Sequence, residues 1–275
     1  VAVILKQGPA LYALVAAGYA ALAFWFWRTR WRRAEPREGL RATERLALLV
    51  PLALHAGLLY ADLFLAPELR FGFAQALSVT LALGVAIYWI ESLFLRLDGI
   101  EPLILPLAAL AAPLPALFPG LASPGAPASL QFRVHLALAM AAYSVATLAV
   151  LHAVLMVLAE RHLHGRRPLA LGFPPLLALE QLLFRMIAIA FVLLTLTLAT
   201  GFVYSETLFG RPLRLDHKTL FALLSWATFA ALLAGRRLRG WRGRTALRWT
   251  LAGFALLLLA YVGSRFVLEV VLGRR

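Results

Sequence analysis

The sequence contains no cysteine, and it sets only 13 Asp and Glu residues against 27 Lys and Arg. The first absence excludes disulfides, thiolate metal sites, cysteine-ligated iron–sulfur clusters and thiol redox exchange by this chain. Also missing are a phosphate-binding P-loop, a G-x-S-x-G elbow, an H-E-x-x-H metal helix and a dinucleotide fingerprint. No nucleophile–base pair or metal triad replaces them, so covalent chemistry is not expected of this protein. The carboxylates Asp62, Glu91, Glu180 and Glu269 fall near the ends of apolar runs rather than in a proton-relay row.

What is present is apolar. Hydrophobic residues make up 62% of the 275, and the mean hydropathy is +0.82. A soluble domain is closer to half apolar, so this excess needs lipid to face. The net charge of +14 would suit a nucleic-acid binder, but the basic residues stand in short clusters between apolar runs. That is the pattern of membrane loops, which removes nucleic acid as a partner and makes the bilayer the expected one. The first apolar run, 8–27, is too long for a signal-peptide core and ends in Trp and Arg without a small-residue cleavage site, so no cleavable leader is expected.

A membrane-crossing helix needs about 20 mostly apolar residues. Eight stretches qualify: 8–27, 46–66, 73–95, 102–118, 134–158, 179–204, 219–234 and 249–272. The expected fold is an all-α polytopic membrane protein of about eight transmembrane helices, with 1–275 as a single integral-membrane domain. The fourth stretch holds Pro102, Pro106, Pro113 and Pro115, so a kinked or re-entrant segment is expected there. Alternate connections carry 17 and 8 basic residues. The richer set belongs on the cytoplasmic side, which puts both termini outside. Within spans, Arg265 is expected to pair with Glu269, Arg185 to snorkel near Glu180 and Gln181, and Glu91 to snorkel or meet Arg96. Trp25, Trp27, Trp31, Trp241 and Trp249 are expected as interfacial anchors. The segment 123–127 reads as an outer turn. His162 and His164, in the basic loop 161–168, read as solvated charge facing anionic lipid rather than as a metal site.

Histidines are the remaining candidates for chemistry. His135 opens the fifth stretch and His217 precedes the seventh, both on the outer side. His55 and His152 lie inside spans two and five, about 13 and 10 Å from the inner ends at about 1.5 Å per residue. The set therefore reads as an outer pair and a deeper pair at similar depth, and paired imidazoles from two helices are what axial haem ligation requires. Plainer roles stand beside this one. A membrane histidine can hydrogen-bond a neighbouring helix through Tyr60, Tyr143 or Thr147. His217 can also help Asp216 cap the next helix.

Several strings then occur in order: Leu193-Leu194-Thr195-Leu196-Thr197-Leu198, Thr200-Gly201-Phe202, Asp216-His217-Lys218, Ser225-Trp226, Gly240-Trp241-Arg242-Gly243-Arg244 and Ala260-Tyr261-Val262-Gly263-Ser264-Arg265-Phe266-Val267. Together they resemble the cytochrome c assembly protein family of CcsA/CcmC-like haem-handling membrane proteins, most of all its inner-membrane YpjD/HemX-like branch. The resemblance implies haem b as cofactor, with His135 and His217 as outer axial ligands to the iron and His55 and His152 as deeper ligands. It also implies a bacterial inner-membrane location and partners in cytochrome c maturation or haem biosynthesis. The synthase and haem-export relatives hold haem on a tryptophan-rich outer loop. No predicted outer loop here contains a tryptophan, which confines the expectation to haem binding. A non-catalytic scaffold or regulator of haem metabolism and a small-molecule transporter are the alternative functions.

Overall fold

The computed structural model describes residues 8–31, 39–65, 70–95, 99–120, 130–163, 175–203 and 216–273. The expected turn at 123–127, the segment 164–168, Arg96 and the side chain of His162 lie outside this description.

The elements are helical, as long apolar runs in a chain seeking lipid require. Helix α1 (Gly8–Phe26) continues into a widened π turn, Trp27–Trp31. Helix α2 (Ala42–Tyr60) continues likewise through Ala61–Leu65. Then come α3 (Phe73–Phe94), α4 (Glu101–Ala111) and the single turn α5 (Leu114–Leu117). The second half holds α6 (Leu130–Leu163), α7 (Leu176–Val203), α8 (His217–Arg239) and α9 (Gly243–Leu258). Helix α9 runs on through Leu259–Gly263, Ser264–Phe266 and Val267–Val271.

Among the described residues, 7 helices are long and apolar enough to cross a membrane. The expected fourth span is the shorter segment Glu101–Leu117. Its helix stops at Ala111 and restarts after Pro113, whose missing N–H cannot continue the ladder. The segment nevertheless follows α3 lengthwise. Glu101 accepts the Tyr88 hydroxyl at 2.6 Å near one end of α3, and the Phe118 carbonyl accepts Gln75 Nε2 at 3.2 Å near the other. The rise between those two α3 residues is roughly 20 Å.

Helices α1 to α4 form one packed group and α6 to α9 another. In the first, α1 and α2 run antiparallel with polar rungs in constant register. Tyr12 Oη donates to Asp62 at 2.5 Å, the Tyr19 and His55 rings meet edge-on at 5.7 Å, and the buried Arg30 pairs with Glu44. Gly18 makes this crossing close, since a Cβ there would stand 3.3 Å from Pro51; small residues at helix crossings serve this purpose in lipid. In the second group α6 packs along α7, α8 on α7 and α9, and α9 back on α6. Ser225 Oγ donates to the Gly253 carbonyl at 2.8 Å, and the Tyr143 hydroxyl donates to the Leu257 carbonyl.

The two groups join at α3 with α6 and at α3 with the extension of α9. Ser144 Oγ donates to the Thr80 carbonyl at 3.0 Å, and Tyr261 Oη donates to the Phe71 carbonyl at 3.1 Å. Phe73 packs edge-on against Phe266 at 5.3 Å. Exposed leucines, valines and phenylalanines cover the outside of both groups, as a lipid-facing surface needs.

Candidate functional site

The candidate site is built at the end of the second group where α7 finishes and α8 begins. His135, in the second turn of α6, is half-buried against the last turn of α7. Its Nδ1 lies 3.0 Å from Thr200 Oγ1. The ring also hydrogen-bonds the Thr197 backbone carbonyl, so it donates an N–H to this turn of α7. An imidazole tied by one nitrogen in this way can offer the other to a metal in a fixed orientation. Gly201 lets the ring lie this close, because a Cβ there would meet His135 Cε1 at 3.4 Å.

His217 is the first residue of α8 and is exposed. It is not the helix cap: Asp216 accepts Thr219 N–H at 3.0 Å and the Thr219 hydroxyl at 3.1 Å. Partial burial opposes ionisation of Asp216, but these bonds and the nearby Lys218 and His217 outweigh it and hold its carboxyl below the usual value. The imidazole of His217 is left to face outward. Trp226 Nε1 donates to Thr195 Oγ1 at 2.8 Å, which fixes the register of α8 on α7. Counted from that contact at about 1.5 Å per residue, His217 stands roughly 6 Å further out than Thr200, the partner of His135. The outer pair thus shares one end of the group, on two helices that both pack on α7. Below it, Phe191 and Trp226 stack at 5.4 Å, with Thr195 bonded to the latter.

The deeper pair is placed differently from the expectation of similar depth. His55 is fully buried, with Nε2 2.8 Å from Ser78 Oγ. His152 is also buried; its Nδ1 donates to the Leu148 carbonyl at 2.8 Å and its Nε2 lies 3.3 Å from Glu91 Oε1. With α3 as a common ruler, Ser78 and Glu91 are separated by a rise of roughly 20 Å. The two rings do not face each other, and no iron could be shared between them in this arrangement. Helix α2 begins within a turn of the Ser92 level, where Arg45 bonds that carbonyl, whereas α6 runs on from His152 to Leu163, so the inner ends of the two helices do not share a level.

Other expectations are refined. Tyr60 is exposed, Tyr143 bonds the Leu257 carbonyl and Thr147 bonds Tyr143 O of its own helix, so none of these is the partner of a buried histidine. Glu91 meets His152 rather than solvent. Glu180 pairs with Arg236 and lies 3.4 Å from Arg242 Nε, while Arg185 is exposed. The Arg265 guanidinium sits 5.7 Å from the Tyr261 ring centre, and the Glu269 carboxylate rests against Gly72 and the first turn of α3. Among the described residues no group of three or more His, Cys, Asp or Glu is placed to hold a bare metal ion.

An all-helical, multi-pass membrane protein with histidines at one end of a four-helix group is the class that these features define. The description Cytochrome C assembly protein matches residues 41–272, and the chain belongs to that family. It is 35% identical over 140 residues to the inner membrane protein YpjD of Escherichia coli, covering 50% of this chain and 52% of that one. An uncharacterised 28.8 kDa protein of Azospirillum brasilense is 33% identical over 214 residues, 74% of this chain and 77% of the other. The cytochrome c biogenesis protein CcsA of Prochlorococcus marinus is 38% identical over 89 residues, 32% of this chain and 28% of its own. The chain thus spans about half the length of the YpjD relatives and less of CcsA. No solved structure matches.

Proposed function

We propose that this protein binds haem b at the membrane surface through His135 and His217 and takes part in cytochrome c assembly without itself catalysing a covalent reaction. The observation that carries the reading is the seating of the His135 ring against Thr200 Oγ1 and the Thr197 carbonyl, which fixes the orientation of the imidazole. His217 supports it as a second imidazole at the same end, left outward because Asp216 does the capping. In this reading His135 and His217 would hold the iron, and Thr200 would orient the first of them. When bound, haem supplies an iron centre able to exchange one electron.

The family and the biogenesis role in the name of CcsA make proteins of cytochrome c maturation the proposed partners. The name of YpjD favours the bacterial inner membrane as location. We place both termini and the histidine end outside, on the arginine bias of the opposite end. The segment Glu101–Leu117, which follows α3 lengthwise, is then the eighth crossing, and the two helical groups form one membrane domain.

The test is absorbance. Full-length protein purified in detergent from haem-replete cells should show a Soret band and sharp low-spin bands. His135→Ala and His217→Ala should each weaken or shift them. Colourless wild-type protein that takes up no added haemin would overturn the proposal.

A further inference from the structure

We propose that the arginine-rich turn joining α8 to α9 is a binding site for the headgroup of an anionic phospholipid. The turn is rigid. Helix α8 ends at Gly240, whose φ of +64° lets the chain reverse, and the Trp241 N–H returns to the Gly235 carbonyl at 3.2 Å. The Trp241 ring packs directly on Gly235, where a side chain would collide with it, and meets the Trp249 ring at a tilt, 5.0 Å between centres. Arg236 is fixed by Glu180 and by the Phe184 ring, whose centre lies 4.5 Å from the guanidinium. The guanidiniums around this turn are therefore carried by a fixed scaffold rather than by a loose loop.

Within α7, α8 and α9 the acid supply at this end is spent, and Glu160 of the neighbouring α6 is already engaged. Among the described residues of α7, α8 and α9 the acids are Glu180, Asp216 and Glu269. The last two lie at the opposite end, and Glu180 is taken by Arg236 and Arg242. Arg237, Arg239, Arg244 and Arg248 are exposed and retain their positive charge. The surface that continues from them is not that of a soluble-protein interface. Arg244, Arg248, Leu251, Ala255 and Leu259 follow one another at helical spacing down a single exposed stripe of α9. Leu251 and Leu259 are 41% and 46% exposed. Such a stripe is charged for one turn and then apolar along the membrane depth, which matches a phosphate group followed by an acyl chain. The tryptophan pair belongs at the same interfacial level.

The experiment is native mass spectrometry of the full chain, released from detergent with equal amounts of phosphatidylglycerol and phosphatidylcholine bearing the same acyl chains. Wild-type protein should retain phosphatidylglycerol preferentially. Arg244→Gln with Arg248→Gln should lower the phosphatidylglycerol-to-phosphatidylcholine ratio by roughly fivefold per arginine removed. Arg244→Lys with Arg248→Lys should keep most of the preference, and Arg28→Gln, at an exposed arginine of the π turn that follows α1, should leave it unchanged. Circular dichroism would check that each variant is folded. An unchanged ratio in the double glutamine variant would overturn the proposal. So would an equal loss in Arg28→Gln, which would mean a diffuse field. Displacement of the lipid by excess inorganic phosphate would mean a free-anion site. Loss of a co-purifying soluble protein with the lipid ratio intact would mean a protein interface.

Discussion

His152 donates Nδ1–H to its own helix at Leu148 and turns Nε2 toward Glu91, 3.3 Å away, with both side chains at most 7% exposed. The Nε2 atom is occupied by that contact. It joins α3 to α6, and with Ser144 and Thr80 it ties the two helical groups together.

Removing one member of this pair should be costly. Glu91→Ala leaves His152 buried without its partner, and breaking a buried pair typically costs about 3–5 kcal/mol. The expected result is a large loss of resistance to thermal unfolding in detergent. Glu91→Leu combined with His152→Leu should recover much of it, because no buried polar group is then left unpaired. A double variant as unstable as Glu91→Ala would mean that the pair contributes more than mutual satisfaction.

The same geometry separates the histidines spectroscopically. His152→Ala should leave haem absorbance per folded protein close to that of wild type, whereas His135→Ala should reduce it. Equal losses in both would show that the buried ring, and not only the outer one, holds the group.

The helices and their membrane character were readable because 20-residue apolar runs leave few other options. The basic runs at one end were readable for the same reason. The level of a side chain was less so. His55 and His152 look equally deep when each is measured from its nearest basic loop, yet they contact α3 at Ser78 and Glu91. Depth depends on how far each helix extends and how its neighbours cross, and those are tertiary facts. Thr200 stood in the sequence only as part of the string Thr200-Gly201-Phe202, and its contact with His135 required the register of α6 on α7. The link between Glu180 and Arg236 was hidden in the same way, since the nearer sequence partner was Arg185.

The cap of α8 gives a prediction with a pH dependence. Asp216→Ala removes the acceptor for Thr219 and should cost about 0.5–2 kcal/mol of local helix stability. The folded carboxyl sits below its ordinary value. Its contribution is therefore complete above the unfolded value of about 3.9 and is lost as the pH falls through the lower folded value. Amide exchange at Thr219 should be slow and steady at neutral pH in the wild type and faster in Asp216→Ala. In acid the difference should vanish. A difference that persists well below pH 3 would mean that the charge of Asp216 is not what holds the cap.

Thr200 provides the closest test of the outer site. Its oxygen lies 3.0 Å from Nδ1 of His135, beside the Thr197 carbonyl that the ring also bonds. Thr200→Val keeps the shape and removes the hydroxyl. The ring then loses one tie on its orientation. Loss of such an orienting partner typically weakens metal affinity about 10–100-fold, so haemin titration should show that decrease with the Soret position displaced. Thr200→Ser retains the oxygen and should titrate close to wild type. If Val and Ser behave alike, His135 is oriented by packing on Gly201 instead, and Gly201→Val becomes the variant that should abolish binding by pushing the ring away.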